Sequence, residues 1–307
     1  MKLYKTIRVI GTLFLATMLL ASCDKENAAK ETEVLLSAHV SSLGSGTGLW
    51  GQVAEIGVFA LETGSSKIYE EINNLKYNAT ITTGIFTLSP SDKALIIKNN
   101  GSIIDVVAYY PYSSKLETQG ASKHICKLDM SDQSDLKPGM FMTAKVKSVN
   151  SVNRSATLAL TPVIAKLGIS LVIRTTKAES REPAVFIDGI AATADVDVIT
   201  GTYTSYGPAE TVQLSMADHS IYYYEALLPA QELTDETVLK VSQPDQSQEE
   251  AASLYLKEYI SQFESNRQYD LEVVVSPEGL KASLVQVSDL NVTNWKEDSE
   301  HIDGNTD

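Results

Sequence analysis

Cysteine is scarce in this sequence, which contains only Cys23 and Cys126 among its 307 residues. Two cysteines form at most one disulfide bond, so a disulfide framework cannot be what holds the fold together. The fold must be stabilised by burial of apolar side chains, for which a hydrophobic content of 43% is sufficient. We expect Cys126 to be an inert, half-buried thiol and not a reactive one.

The motifs of common enzymes are also missing. The sequence contains no His-Glu-x-x-His pair, no Gly-x-Ser-x-Gly turn and no phosphate-binding loop with a following Lys. Its four histidines are isolated from one another, and each is expected to be a surface or edge residue. We therefore predict no enzymatic activity, no catalytic residues, no metal site and no cofactor.

Two short segments imitate ligand-binding loops. The glycine-rich segment Gly44–Gly48 lacks the Lys and the helix that follow a nucleotide-binding loop, which favours a flexible loop. Asp129, Asp132 and Asp135 are spaced so that they could line a calcium loop, but the Gly and terminal Glu of such a loop are absent. A solvated turn is the favoured interpretation.

Basic residues are outnumbered, with 25 Lys and Arg against 39 Asp and Glu and a formal net charge of −14. Nucleic acids and anionic lipid surfaces attract proteins through clustered positive charge. The charge balance therefore excludes nucleic acid as an expected partner and favours solubility at an exposed surface.

The N-terminus has the pattern of a bacterial lipoprotein signal peptide. Positive residues precede the apolar run Val9–Leu20, which is too short to span a bilayer of about 30 Å as a helix. Small residues then lead to Cys23, so we predict cleavage between Ser22 and Cys23 and acylation of Cys23, with palmitate among the acyl chains. An ordinary secretory signal with a chance cysteine is the alternative. The predicted location is the outer membrane and the cell surface.

The remainder of the chain is predicted to be all-β. Short runs rich in Val, Ile, Tyr and Thr alternate with clusters of turn-forming residues every 8–12 residues or so, the spacing expected of β-sandwiches. The clearest runs are Val53–Leu61, Ala94–Lys98, Ile103–Tyr110, Met140–Val149, Ile164–Arg174, Ile221–Pro229, Tyr269–Val275 and Ala282–Val287.

A polar segment near residue 153 is the best candidate for a domain boundary. The predicted organisation is a signal peptide (1–22), a lipidated tether (23–33), an N-terminal β-sandwich (34–153), a C-terminal β-sandwich (154–295) and a polar, acidic tail (296–307). One stretch, 253–263, places apolar residues at helical spacing. It predicts either a short amphipathic helix or a strand followed by a loop.

Tyrosines occur in two clusters, Tyr109–Tyr112 and Tyr222–Tyr224. Exposed, they would form a platform for stacking sugars, whereas along a strand they would pack in the core and across strands. Packing is the favoured interpretation. We also predict that Trp50, Ile56 and Val58 are buried in the N-terminal sandwich.

Six motifs in order resemble those of the fimbrillin family, the lipoprotein-precursor subunits of type V pili. The resemblance rests on Trp50-Gly-Gln-Val-Ala-Glu-Ile-Gly-Val-Phe-Ala60, Ala108-Tyr-Tyr-Pro-Tyr112, Leu160-Thr-Pro-Val-Ile-Ala-Lys-Leu167, Leu227-Leu-Pro-Ala-Gln231, Gln268-Tyr-Asp-Leu271 and Asn291-Val-Thr-Asn-Trp295. Glu55 replaces the usual Asp of the first motif, and Pro162 replaces a common His of the third.

The resemblance implies two transthyretin-like β-sandwiches in series and a fimbrial subunit that supports cell adhesion. It implies assembly by strand exchange, in which an extended segment of one subunit completes a sheet of its neighbour. The expected partners are other pilus subunits, the membrane through the lipid on Cys23, and a host or bacterial surface receptor. The alternative function is a surface glycan-binding lipoprotein of nutrient uptake.

Two departures from the family pattern bear on the subunit's role. Shaft subunits are commonly cut after their first strand by an arginine-specific protease, but no Arg lies between Cys23 and Val149. The polar tail is unsuitable as a donor strand, so the candidate donor lies upstream, within 282–295. Its residues are Leu284, Val285, Val287, Leu290, Val292 and Trp295. They are predicted to form two short strands on either side of a bulge or bend near Ser288 and Asp289, which pack on the chain's own C-terminal sandwich in a monomer. These features favour an anchor, accessory or tip role.

Overall fold

The structure is a computed structural model. It describes residues 30–40, 54–82, 85–120, 122–134, 136, 140–174, 182–242 and 251–290. The predictions made for Ser22, Cys23, Trp50, Val292 and Trp295, for the signal peptide and for the polar tail lie outside these residues.

Among the described residues up to Arg174, twelve strands form, and many of them are rich in the β-branched and aromatic residues that favour strands. They are β1 (Glu31–Glu33), β2 (Leu35–Val40), β3 (Ala54–Glu62), β4 (Leu75–Thr82), β5 (Ile85–Pro90), β6 (Ile96–Lys98), β7 (Ile103–Tyr110), β8 (Glu117–Gln119), β9 (Lys123–Asp129), β10 (Met142–Asn150), β11 (Ser155–Pro162) and β12 (Ile164–Ile173).

The described residues from Glu182 onward contain twelve more strands and the 3-10 turn Leu256–Glu258. The strands are β13 (Ala184–Ala191), β14 (Thr193–Asp197), β15 (Thr202–Tyr206), β16 (Ala209–Gln213), β17 (Ser215–Asp218), β18 (Tyr223–Pro229), β19 (Gln231–Glu232), β20 (Val238–Ser242), β21 (Ala252–Tyr255), β22 (Gln262–Phe263), β23 (Arg267–Ser276) and β24 (Gly279–Asp289). The prediction of an all-β chain is confirmed.

Seven strands close on themselves in the order β10-β11-β2-β5-β4-β3-β7. Most pairs are antiparallel, but β11 runs parallel to β2. Ile56 and Val58 are fully buried in the first hydrophobic core, which confirms the prediction made for them. A four-stranded sheet, β15-β14-β9-β8, and a small sheet of β1 and β6 flank this barrel.

A second core forms between a five-stranded sheet, β17-β18-β12-β23-β24, and a four-stranded sheet, β16-β13-β20-β21. Leu171, Val185 and Val273 illustrate the packing of the two sheets, since each is buried in this core. The transthyretin-like character of the two expected sandwiches stays a prediction.

Strand pairing joins residues on both sides of position 153. β11 pairs with β2, and β14 pairs with β9 over five residues. The side chain of Gln133 also donates to the carbonyl of Leu227 at 2.9 Å and accepts from the Leu227 amide at 2.8 Å. Segments from both sides of position 153 are therefore connected by strand pairing and by buried hydrogen bonds. The boundary at 153 stays a prediction.

The stretch 253–263 is not one helix. It contains the end of β21, the 3-10 turn and β22. Leu256, Ile260 and Phe263 are buried because the turn folds this segment against the second core, which produces helix-like spacing without a helix. Of the two interpretations, a strand followed by irregular chain is the correct one.

Candidate assembly interface

β2 is an internal strand although it lies close to the start of the described chain. It pairs with β11 through six residue pairs on one side and with β5 on the other. Leu36, Ala38 and Val40 alternate with more exposed residues and are at most 6% exposed, as is Val34 just before the strand. Removal of this strand would open an apolar groove in the barrel and expose two strand edges.

Backbone hydrogen bonds fix the entry of the chain into the barrel. The amide of Val34 donates to the carbonyl of Leu95 at 2.9 Å, and the amide of Leu35 donates to the carbonyl of Arg154 at 2.8 Å. The hydroxyl groups of Ser37 and Thr157 lie 3.0 Å apart on the paired strands. The segment 30–40 is thus held along its whole length.

β24 is the edge strand of the five-stranded sheet and pairs with β23 over ten residue pairs. The register shifts at Val285, where Asp270 is opposite Gln286 and Leu271 is opposite Leu284. The bulge of this strand therefore lies at Val285, earlier than the predicted position near Ser288 and Asp289, and β24 itself runs unbroken from Gly279 to Asp289. The second short strand predicted within 282–295 stays a prediction, because 291–295 lie outside the described residues.

The bulge places apolar side chains on one face of β24. Leu284 and Val287 are opposite Leu271 and Tyr269, which are buried, so both point to the core-facing side of the sheet. Leu284, Val285 and Val287 are nevertheless 40%, 65% and 47% exposed.

Leu290 differs from the other candidate donor residues. It is fully buried and belongs to the first hydrophobic core, away from the exposed group on β24. Of the candidate donor residues that the structure describes, three share an exposed surface and Leu290 does not.

A polar cleft of about 960 Å³ lies beside β7 and β10. Its floor contains Asp105, which is 1% exposed and accepts hydrogen bonds from the amides of Gly64 at 3.3 Å and Ser148 at 3.2 Å. Lys145 Nζ lies 3.6 Å from the same carboxylate. Asp105 therefore holds an adjoining turn and the bulge of β10 in place, where Ser148 has a φ of 62°. Sequence patterns gave no signal for this residue.

His124 is buried, although an isolated surface or edge residue was expected. Its ring packs 4.9 Å from that of Phe59, and Nε2 has no hydrogen-bond partner. Burial lowers the pKa of His124, partly opposed by the negative charge of Asp197. The neutral ring is therefore the favoured form in the folded protein.

The other expected side chains are mostly packing residues. Tyr109 and Tyr224 are buried, which agrees with the packing interpretation of their clusters. Cys126 is half-buried, and burial raises the pKa of its thiol to about 11, so the thiolate is disfavoured at neutral pH.

Among the described residues, no group of three or more His, Cys, Asp or Glu is placed to hold a metal ion. Within the part of the chain that the structure describes, no helix is long and apolar enough to cross a membrane.

The family model described as fimbrillin-like matches residues 42–295, most of the sequence. The chain belongs to the fimbrillin-like family. This agrees with the resemblance carried by the six motifs. Among curated proteins, none matches the sequence.

Solved structures share the fold at low sequence identity. A candidate cell adhesion protein from Bacteroides uniformis has a TM-score of 0.68 and 22% identity, with 84% of this chain and 98% of that chain covered. One from Bacteroides ovatus has a TM-score of 0.63 and 16% identity, covering 86% and 99%. The C-terminally truncated tip fimbrial protein Mfa3 from Porphyromonas gingivalis has a TM-score of 0.52 and 8% identity, covering 85% and 100%. The fimbrillin-like chain therefore has the architecture of proteins described as adhesion and fimbrial proteins.

Proposed function

We propose that the protein is a fimbrial subunit at the cell surface, held in the outer membrane by a lipid on Cys23. The observation that carries this proposal is membership of the fimbrillin-like family over residues 42–295. The fold shared with adhesion proteins and with a tip fimbrial protein supports it. A host or bacterial surface molecule is the proposed receptor for adhesion.

Assembly by strand addition is the proposed link between subunits. The proposed acceptor is a groove in a neighbouring subunit that corresponds to the one β2 fills here, with pockets for side chains at the alternating positions of Val34, Leu36, Ala38 and Val40. The donor is β24, whose Leu284, Val285 and Val287 are exposed in the monomer. Insertion of such a strand gains main-chain hydrogen bonds and buries apolar side chains that were in water.

The proposed position in the fimbria is terminal, as anchor, accessory or tip subunit. β2 is bonded on both sides, and the sequence from Cys23 to Val149 contains no Arg for an arginine-specific protease. A subunit that keeps its first strand has no vacant acceptor groove. It would therefore donate a strand or bind at an end of the fimbria but would not be repeated along the shaft.

The donor role is tested by a charge on the exposed apolar surface. Val287→Asp should reduce incorporation into fimbriae, because a carboxylate would enter an apolar groove. Ser283→Asp is the matched control, since Ser283 is exposed on the same strand and outside the apolar group. Removal of 298–307 should change little. Fimbriae sheared from cells are probed for the protein, and loss on removing the tail alone would contradict the assignment of the donor segment.

A further inference from the structure

The outer edge of β24 is the longest exposed strand edge in the part of the chain that the structure describes. β24 spans Gly279–Asp289 and, among the described strands, pairs with β23 alone. The other described edge strands, such as β16 and β21, have five residues or fewer. Natural proteins usually shorten such edges or protect them with Lys or Pro, because an open edge recruits other strands.

The composition of this edge favours a second copy of the chain as the strand that pairs with it. The charged residues of β24 are Lys281 and Asp289, so the strand is neutral within a chain whose formal net charge is −14. Two copies meeting here therefore bring together strands without net charge, although the chain as a whole is acidic. The exposed residues at its centre, Leu284, Val285 and Val287, would be shielded from water by that contact.

We propose that β24 pairs antiparallel with β24 of a second copy, across a two-fold axis perpendicular to the sheet. Such a contact is isologous, so it closes as a dimer and does not propagate into a fibre. It goes beyond the proposed fimbrial role and is an alternative state of the same strand, because a β24 paired with its own copy is not free to enter a groove of a different subunit.

The bulge and the pairing of large apolar residues together select the register. The two-fold operation keeps the core-facing side of both sheets on the same side, so residues opposite one another must share a face. Because of the bulge at Val285, Leu284 and Val287 share the core-facing side, while Ser283 and Ser288 are opposite Glu272 and Gln268 on the other side. Both conditions hold when the axis passes between Val285 and Gln286. Leu284 is then opposite Val287 of the partner subunit, and Ser283 is opposite Ser288 of the partner subunit.

Cysteine cross-linking tests both the contact and its register. The full chain is expressed in the envelope of a Gram-negative host as Ser283→Cys/Ser288→Cys, and extracts are run on a non-reducing gel. Opposed residues of antiparallel strands have Cα atoms about 4.5–5.5 Å apart, within disulfide range. Within one copy the two positions are about 16 Å apart along the strand, too far to bridge. Each single variant is a matched control, because its own two-fold mate is also out of reach.

The proposal predicts a dimer band for the double variant that is at least about tenfold stronger than for either single variant. Adding Val285→Lys to the double variant should reduce that band about tenfold, since it places two charges beside the axis. Val285 is mostly exposed, so this change should leave the fold intact. A monomer band alone, a ladder of larger species, equal dimer in the single variants, or no effect of Val285→Lys would each overturn the proposal.

Discussion

Leu35 and Leu36 are adjacent in β2 but differ in exposure, which allows a matched test of how firmly this strand belongs to the barrel. Leu36 is 6% exposed, whereas Leu35 is 49% exposed. Truncation of a buried leucine removes apolar contacts and leaves a cavity that the surroundings fill only partly, at a cost of about 2–5 kcal/mol. Leu36→Ala should therefore destabilise the protein by that amount, and Leu35→Ala by no more than about 0.5 kcal/mol.

The assay is urea unfolding of each variant, followed by far-UV circular dichroism and by hydrogen exchange of the β2 and β11 amides. The Leu36→Ala variant should unfold at lower urea and lose protection in both strands, because their ladders share six residue pairs. Equal costs for the two substitutions, or unchanged protection of β11 in Leu36→Ala, would refute the reasoning that β2 is an integral barrel strand.

Three further predictions concern other parts of the molecule. The contribution of His124 to the free energy of unfolding should be fully present above about pH 6.5 and should decrease as the pH falls below that value, because burial holds the pKa of His124 in the folded protein below its pKa in the unfolded chain. His124→Phe should flatten this dependence when unfolding is measured between about pH 5 and pH 8. Gly57→Ala should destabilise the barrel by about 1–3 kcal/mol in thermal unfolding, because its Cβ would clash with the buried ring of Tyr109, and an unchanged melting temperature would contradict this close approach of the ring to Gly57. Cys23→Ala should abolish labelling with a radioactive fatty acid, and retained label would exclude Cys23 as the acceptor.

Local features of the fold were predictable from the sequence because strand formation follows from residue type and turn chemistry. Ile103–Tyr110 and Ile164–Arg174 match β7 and β12 almost residue for residue. The candidate donor segment was expected to pack on the C-terminal sandwich in a monomer, whereas Leu284, Val285 and Val287 are 40%, 65% and 47% exposed. Their shared face depends on a bulge at Val285, which was expected nearer to Ser288 and Asp289. A bulge is set by the cross-strand partner, here Asp270 and Leu271, and a single strand's sequence does not show it.

Long-range pairings were not predictable. The parallel pairing of β11 with β2 joins strands more than a hundred residues apart in sequence, and β9 pairs with β14, which lies in the later part of the chain. No periodicity within either strand specifies its neighbour. The helical spacing in 253–263 left the choice between a helix and a strand open for the same reason. Leu256 and Phe263 are buried because the 3-10 turn folds the segment against the second core, and not because they share one face of a helix.

The central claim, that this fimbrillin-like protein is a terminal fimbrial subunit, is tested most directly by immunogold electron microscopy of intact cells. Antibody against the protein should label one end of each fimbria, and deletion of the gene should remove that label and alter fimbrial number or attachment. Regular label along the shaft would contradict the terminal position, and fimbriae that never carry the label would contradict the fimbrial role itself.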